Sequence, residues 1–234
     1  MPSTKFAANV KTQRPSFYIV THIDSSSDAL FVPFFQPSSS RDLHGLNLPG
    51  DVTAGIAAAV NLGDFKATPG TFLSIPGTKK IKRIILLGLG KREKFDIDLA
   101  RWAGALAAGQ ARRIKARHIT IHYGQFSDAH WTDSSAALAE GFLLGAFSFE
   151  DYKTAKTDDV EDPPAAALHI SLLSKPELKT RVLQQVTEKI AIATATNYAR
   201  YIACQPGNVI APNAMIAAAR DLARQSKLKF TLID

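Results

Sequence analysis

Cysteine, methionine and tryptophan are scarce in this chain of 234 residues, which holds one cysteine, two methionines and two tryptophans. Because a disulfide needs two cysteines, Cys204 alone excludes a framework of internal disulfides. The amino terminus, MPSTKFAANVKTQRPS, has no apolar stretch of the kind that a signal peptide or a membrane anchor requires. These absences predict a cytoplasmic protein without a membrane partner.

Hydrophobic residues make up 46% of the chain, enough to bury one core and part of another. Apolar runs typical of strands alternate with helical periodicities, which favours an α/β fold with a mixed, largely parallel sheet. Asp51 and Asp98 are the predicted helix N-caps. The predicted strands are 17–20, 29–34, 71–75, 83–87, 118–122 and 168–173, and the predicted helices are 52–61, 99–113 and 134–147.

A charged stretch with tandem proline, KTAKTDDVEDPP at 153–164, predicts an exposed loop and a domain boundary. Beyond it, Ser174 and Glu177 have the spacing of a capping box. Apolar residues at helical spacing then predict one long helix that extends to Cys204. A helix of about 30 residues would span about 45 Å, long enough to link two domains.

The last 30 residues have the pattern of an entrance to a second domain. Pro206, Gly207 and Asn208 predict a turn, because they disfavour helical geometry or tolerate positive φ. Pro212 is well placed as the first residue of a helix. Residues 228–233 are predicted to form a strand, and the second α/β domain is expected to be incomplete within this sequence.

Three stretches together resemble the leucyl (cytosol) aminopeptidase family: 72–90 with its Gly-Leu-Gly end, the helix end at 140–153, and 197–212. The resemblance implies a macro-domain-like sheet flanked by helices in residues 1–164. It also implies a strand and linker helix in 165–204, and the first elements of a catalytic domain in 205–234. Cys204, Phe147 and Ala211 depart from the family's usual residues, and Ala211 removes a side-chain N-cap.

What the resemblance implies about activity concerns a longer protein. Such enzymes release amino-terminal residues from peptides with two divalent metals, zinc, manganese or magnesium. Their metal ligands, catalytic lysine and catalytic arginine lie beyond the point that matches Asp234. The chain itself is therefore expected to be inactive and to hold no catalytic or metal-binding residue. Its expected role is to support a hexamer, to shape access to the active site, and to contact its own catalytic domain.

A second hypothesis rests on residues 79–117, where 12 lysines and arginines face 3 acids, a balance of +9. Such a segment attracts nucleic acid or another phosphate, and some bacterial relatives bind DNA; solvated strand and helix ends are the alternative explanation. Two glycines after an apolar strand also suggest a phosphate or ADP-ribose pocket. The predicted contact residues are Lys79, Lys80, Lys82, Arg83, Gly88, Gly90, Lys91 and Arg92.

Three further groups carry weaker hypotheses. His118 and His122 are four residues apart, which in a strand separates them too far for one metal. Cys204 is expected at a helix C-terminus, where the dipole disfavours a thiolate, so a packing role is favoured over a nucleophile. The densest carboxylate cluster is interpreted as a solvated loop; it comprises Asp158, Asp159, Glu161 and Asp162.

Overall fold

The computed structural model describes residues 15–23, 27–36, 43, 46–78, 81–123, 126, 128–152 and 168–233. Six strands and five helices lie within these ranges. The strands are β1 Ser16–Val20, β2 Ala29–Gln36, β3 Phe72–Pro76, β4 Arg83–Lys91, β5 His118–Ile121 and β6 His169–Leu173. The helices are α1 Gly50–Asn61, α2 Ile97–Arg113, α3 Asp128–Gly145, α4 Lys179–Ala203 and α5 Pro212–Gln225, with short 3-10 turns at Arg92–Lys94 and Pro176–Leu178.

The six strands form one sheet in the order β1-β6-β5-β2-β4-β3. Every neighbouring pair is parallel except β3 and β4, which are antiparallel. Central strand β2 is almost entirely buried, and its sequence ALFVPFFQ is a nearly continuous apolar run, as expected where both faces of a sheet are covered. The predicted mixed, largely parallel α/β sheet is thus confirmed.

Side chains that alternate along the strands separate two cores. Phe31 and Ile85 pack on the face covered by α2 and α3, whereas Leu30 and Ile84 pack on the face covered by α1. Because successive residues of a strand point to opposite faces, one run of apolar residues supplies both cores. The result is three layers, with the sheet between helices.

Helices α2 and α3 cross at very short range because glycines line the crossing. A Cβ at Gly141 would lie 1.7 Å from the Arg101 carbonyl oxygen, and a Cβ at Gly104 would lie 2.1 Å from the Leu138 carbonyl oxygen. Beside the crossing, Arg101 Nε donates to Glu140 Oε2 at 3.0 Å, and Glu140 is buried. The Glu140-Gly141 pair of the family-like stretch therefore serves helix packing.

The predicted helix starts need correction. Asp96, and not Asp98, caps α2, since its Oδ1 accepts the Leu99 N–H at 2.8 Å. Pro49 occupies the N-cap position of α1, and Asp51 lies in the first turn instead. Leu178 precedes α4 without a side-chain cap, so the predicted capping box with Ser174 is also wrong. A 3-10 turn, Pro176–Leu178, lies where that box would form.

Residues 228–233 form no strand, because no described strand lies beside them to complete a hydrogen-bonded ladder. The predicted last strand is therefore wrong for this structure. Within the described ranges, no helix combines the length and the apolar character needed to cross a bilayer.

Candidate functional site

The two glycines predicted to bind phosphate are engaged in packing at the end of β4. The Gly88 N–H donates to the Thr71 carbonyl at 2.8 Å, and the Gly90 N–H donates to the Ala67 carbonyl at 2.8 Å. A Cβ at Gly88 would lie 2.1 Å from the Thr68 carbonyl oxygen, and Gly90 has a φ of 74°. These glycines let the loop at 67–71 approach the strand, so their N–H groups are not available to a phosphate in this conformation.

The predicted basic contacts do not form one surface. Lys82 and Arg83 lie at the amino end of β4, whereas Lys91 and Arg92 lie at its carboxyl end. A nine-residue strand separates these ends by about 26 Å. The Arg92 guanidinium also packs over the Phe35 ring, 4.3 Å from its centroid. Lys79 and Lys80 lie outside the described residues.

Asp28 organises the cations at the amino edge of the sheet. Its carboxylate accepts the backbone N–H groups of Arg117 at 2.8 Å and His118 at 3.0 Å, and it pairs with Lys82 Nζ at 2.6 Å. Burial raises the pKa of Asp28, but the Lys82 ammonium and the two N–H donors outweigh burial, so the pKa is lowered overall. Lys82 and the start of β5 are thereby held together.

A second group of residues joins the end of α3 to the long helix α4, and we call it the interhelix clamp. Asn197 is buried, and its Nδ2 donates to the Leu143 carbonyl at 2.9 Å. Arg200 donates to the Leu144 carbonyl at 2.9 Å and to Asn197 Oδ1 at 3.0 Å, and its guanidinium lies 4.2 Å from the centroid of the Phe147 ring. Both helices are thus tied at one point.

Aromatic side chains extend the clamp beyond the end of α3. The Tyr201 hydroxyl donates to the Asp151 carboxylate, and the Tyr152 hydroxyl donates to Gln205 Oε1 at 2.9 Å. Phe149 lies against both tyrosines, with ring centroids 5.8 Å from Tyr152 and 5.5 Å from Tyr201. Two stretches that the sequence separates by about 50 residues, 140–152 and 197–205, therefore form one contact. Both stretches stand out in the sequence, but no local pattern in either one indicates that they pair.

The entry loop after α4 has the predicted turn and helix start. The Val209 and Ile210 N–H groups both donate to the Pro206 carbonyl, at 2.9 and 3.1 Å. Gly207 and Asn208 lie within this turn and are exposed. Pro212 is the first residue of α5, and Ala211 at the N-cap position makes no side-chain hydrogen bond.

Helix α5 leaves much of its apolar surface exposed to solvent. Ala218 and Ala223 are buried, but the Met215 and Leu222 side chains remain 45% and 48% exposed. The helix lies beside α4 at one point, where burial and the Asp221 carboxylate together raise the pKa of Tyr198. An amphipathic helix with half of its apolar stripe in solvent has the pattern of an element that packs against something else.

No group of three or more His, Cys, Asp or Glu side chains in the described part of the chain is arranged to hold a metal ion. His118 and His122 lie at opposite ends of β5, and His122 is fully buried against the Tyr123 ring, 4.2 Å between centroids. Cys204 is exposed at the C-cap of α4. The acidic cluster at 158–162 lies outside the described residues.

Fold and clamp together define a class: a mixed α/β domain held by polar contacts to a long helix that leads into a further amphipathic helix. The sequence profile of the cytosol aminopeptidase family, N-terminal domain, matches residues 31–156. The chain therefore belongs to the cytosol aminopeptidase family, a family of peptidases.

Individual relatives agree with this assignment. A probable cytosol aminopeptidase of Geotalea uraniireducens is 30% identical over 166 residues, 70% of this chain and 32% of the relative. Another, from Clostridium perfringens, is 23% identical over 214 residues, 90% of this chain and 41% of the relative. This chain thus spans about a third to two fifths of the length of these relatives.

Solved structures support the fold. A mutant of tomato leucine aminopeptidase superposes with a TM-score of 0.70 at 16% identity, over 92% of this chain and 43% of that chain. The bottromycin maturation enzyme BotP superposes with a TM-score of 0.63 at 20% identity, over 87% of this chain and 38% of that chain. At such identities the likeness concerns the fold alone.

Proposed function

We propose that this chain is the amino-terminal, non-catalytic part of a two-metal leucyl aminopeptidase-like enzyme, which releases amino-terminal residues from peptides. The family match at 31–156 carries the proposal. In it, residues 1–164 form most of the sheet domain, 165–204 supply its strand β6 and a linker helix, and 205–234 form the start of the catalytic domain. Two divalent metals, zinc, manganese or magnesium, would activate water in that catalytic domain, and the chain itself would be inactive.

The role proposed for this part is architectural. The interhelix clamp fixes the direction in which α4 leaves the sheet domain, and so fixes where the loop at Pro206 begins. The half-exposed apolar stripe of α5 supports packing against the catalytic domain. By this proposal the sheet domain supports assembly into a hexamer and shapes access to the active site. The cytosolic names of the relatives support a cytoplasmic location.

A chimera tests the proposal. This chain replaces the matching segment of the Clostridium perfringens relative, which it covers over 41% of that protein's length. We expect the chimera to hydrolyse a leucine anilide with Mn²⁺ and to sediment as a hexamer, whereas this chain alone shows no turnover. Turnover by the isolated chain would contradict the inactive role. A folded but monomeric chimera would contradict the role in assembly.

We propose as a second candidate function that the amino edge of the sheet binds a polyanion, nucleic acid in particular. The observation that favours it is the shared contact with Asp28, which holds Lys82 beside Arg117 while Arg83 begins the adjacent β4. Binding driven by phosphate contacts weakens steeply with salt. We expect an oligonucleotide to bind at 20 mM salt, and the Arg83→Gln, Arg117→Gln double variant to lose that binding. Equal binding by the variant would refute it.

A further inference from the structure

Two histidines lie side by side at the amino ends of β5 and β6. His118 and His169 are register partners on these parallel strands. Neighbouring strands run about 4.8 Å apart, so the two Cα atoms have about that separation. His169 is exposed and His118 is half-buried, which leaves the pair accessible from solvent.

Both side chains point to the same face of the sheet. Their chain neighbours Ile119 and Ile170 belong to the core beneath α2 and α3. Because side chains alternate along a strand, His118 and His169 project from the opposite face. The described apolar core on that face, under α1, is formed by residues of other strands and the loops beside them. The sheet therefore presents two imidazoles where it could have presented apolar side chains.

Neighbouring side chains hold both rings in one direction. His118 Nε2 lies 3.0 Å from Ser171 Oγ on β6, and the His169 ring stacks on Tyr18 of β1, with centroids 5.8 Å apart and an interplanar angle of 26°. Ser171 and Tyr18 are themselves register partners. Each histidine side chain thus contacts a residue on the next strand that lies two positions beyond its own register partner. The two side chains therefore run parallel to each other. A ligand shared by both histidines therefore requires the two rings to turn towards each other.

We propose that His118 and His169 form a two-histidine site for a transition-metal cation, Cu²⁺, Ni²⁺ or Zn²⁺. Imidazole nitrogens are suitable ligands for these ions at about 2.0–2.1 Å, and backbones about 4.8 Å apart let two imidazoles reach one ion by rotation of their side chains. The carboxylate of Asp28 is committed to Lys82 and two backbone N–H groups, which disfavours the oxygen-seeking ions Mg²⁺ and Ca²⁺. Water completes the coordination.

This site is independent of the proposed catalytic metals, which belong to a catalytic domain and not to this pair. Two protein ligands give modest affinity, and a chelator removes the ion.

The test uses the 234-residue chain in a Cys204→Ser background, which removes the thiol as a competing ligand. Cu²⁺ is titrated by calorimetry, and electron paramagnetic resonance counts the coordinating nitrogens. We expect a spectrum with two imidazole nitrogens, and His169→Gln is expected to weaken binding by about tenfold or more and to leave one nitrogen. His118→Gln is expected to weaken binding and to leave one nitrogen in the same way. Either variant therefore tests the proposal if the other folds poorly.

Matched controls are His22→Gln and His130→Gln, which replace exposed histidines that lie outside the strands of the sheet. Both should keep the affinity and the two-nitrogen spectrum of the parent. Equal affinity in parent and His169→Gln would overturn the proposal, as would a parent spectrum with a single imidazole nitrogen. Zn²⁺ titrated by calorimetry should show the same order among the variants.

Discussion

At the scale of single residues, Asp28 connects three strands through one side chain. Its carboxylate accepts N–H groups from Arg117 and His118 and pairs with Lys82, while its own N–H donates to the His118 carbonyl at 2.7 Å. Asp28→Asn keeps the shape but removes an acceptor and the charge. We expect the free energy of unfolding to fall by about 1–3 kcal/mol, measured by urea denaturation at neutral pH.

The lowered pKa of Asp28 also fixes the sign of a pH effect. Its stabilising contribution is present above the unfolded-state pKa of about 3.8, and it is lost as the pH falls through the lower folded-state value. Asp28→Asn should therefore flatten the acid limb of the stability curve. Asp133→Asn, an exposed position on α3, is the control and should leave that limb unchanged. If the free energy of unfolding of Asp28→Asn fell with decreasing pH as steeply as that of the wild type, the stabilising role of the Asp28 carboxylate would be disproved.

His122 also makes stability fall on acidification, but here the cause is burial, which favours the neutral form of the imidazole. Burial lowers the pKa of His122 from 6.5 to about 4, although a hydrogen bond with the Leu46 backbone opposes the shift. Stability should be complete above pH 6.5 and fall as the pH drops from there towards 4, since the unfolded chain binds the proton first. A difference of about 2.5 pKa units corresponds to about 3 kcal/mol.

Urea denaturation between pH 7.5 and 4.5 measures this loss. His122→Gln should be less stable at pH 7.5 because Gln fits the buried site less well, but its stability should decline less on acidification. The same decline in both proteins would mean that other groups cause the acid sensitivity.

At the scale of elements, the crossing of α2 and α3 depends on the absence of a side chain. Gly141→Ala would place a methyl group 1.7 Å from the Arg101 carbonyl oxygen, so the helices must separate. We expect a loss of about 2–4 kcal/mol by the cost of overpacking and of the lost helix contacts. Gly109→Ala on the exposed face of α2 has nothing within 4 Å and should gain about 0.5–1 kcal/mol from helix propensity. Thermal unfolding of both variants tests whether Gly141→Ala lowers the stability while Gly109→Ala raises it.

The same elements show what the sequence could and could not predict. Apolar runs in the sequence correctly predicted all six described strands. A buried strand such as β2 is recognisable because its apolar residues are consecutive in the sequence. Helix caps were misplaced by two to four residues, since candidates such as Asp96 and Asp98 are chemically equal until the backbone geometry selects one. The strand at 228–233 was wrong because a ladder needs a partner that local sequence does not show.

For the candidate site residues too, local patterns could be predicted from the sequence, but long-range contacts could not. The Gly88-Leu89-Gly90 motif suggested a phosphate pocket, but it lies within β4 and its glycine N–H groups donate to the loop at 67–71, whose approach no local signal reveals. The histidine at 118 was compared with His122 on its own strand, while its neighbour in space is His169, about 50 residues later. Contacts between strands that are far apart in the sequence could be identified only from the folded structure.

At the scale of the whole molecule, the interhelix clamp decides how rigidly α4 and the loop at Pro206 follow the sheet domain. Asn197→Ala removes the donor to the buried Leu143 carbonyl and the acceptor for Arg200. We expect a loss of about 1–3 kcal/mol, because a buried carbonyl is left without its hydrogen bond. The loss should be local: hydrogen exchange should quicken in the second half of α4, while the amides of β2 and β4 keep their protection.

Glu188→Ala on the exposed side of the same helix is the matched control, and its exchange should equal that of the parent. If Asn197→Ala quickened exchange equally in α4 and in β2, the clamp would be part of one cooperative unit with the sheet. Unchanged exchange in α4 would instead mean that the apolar contacts of Val182, Val186 and Ala193 hold the helix by themselves. Local loosening would identify the clamp as the joint through which the sheet domain positions whatever follows α4.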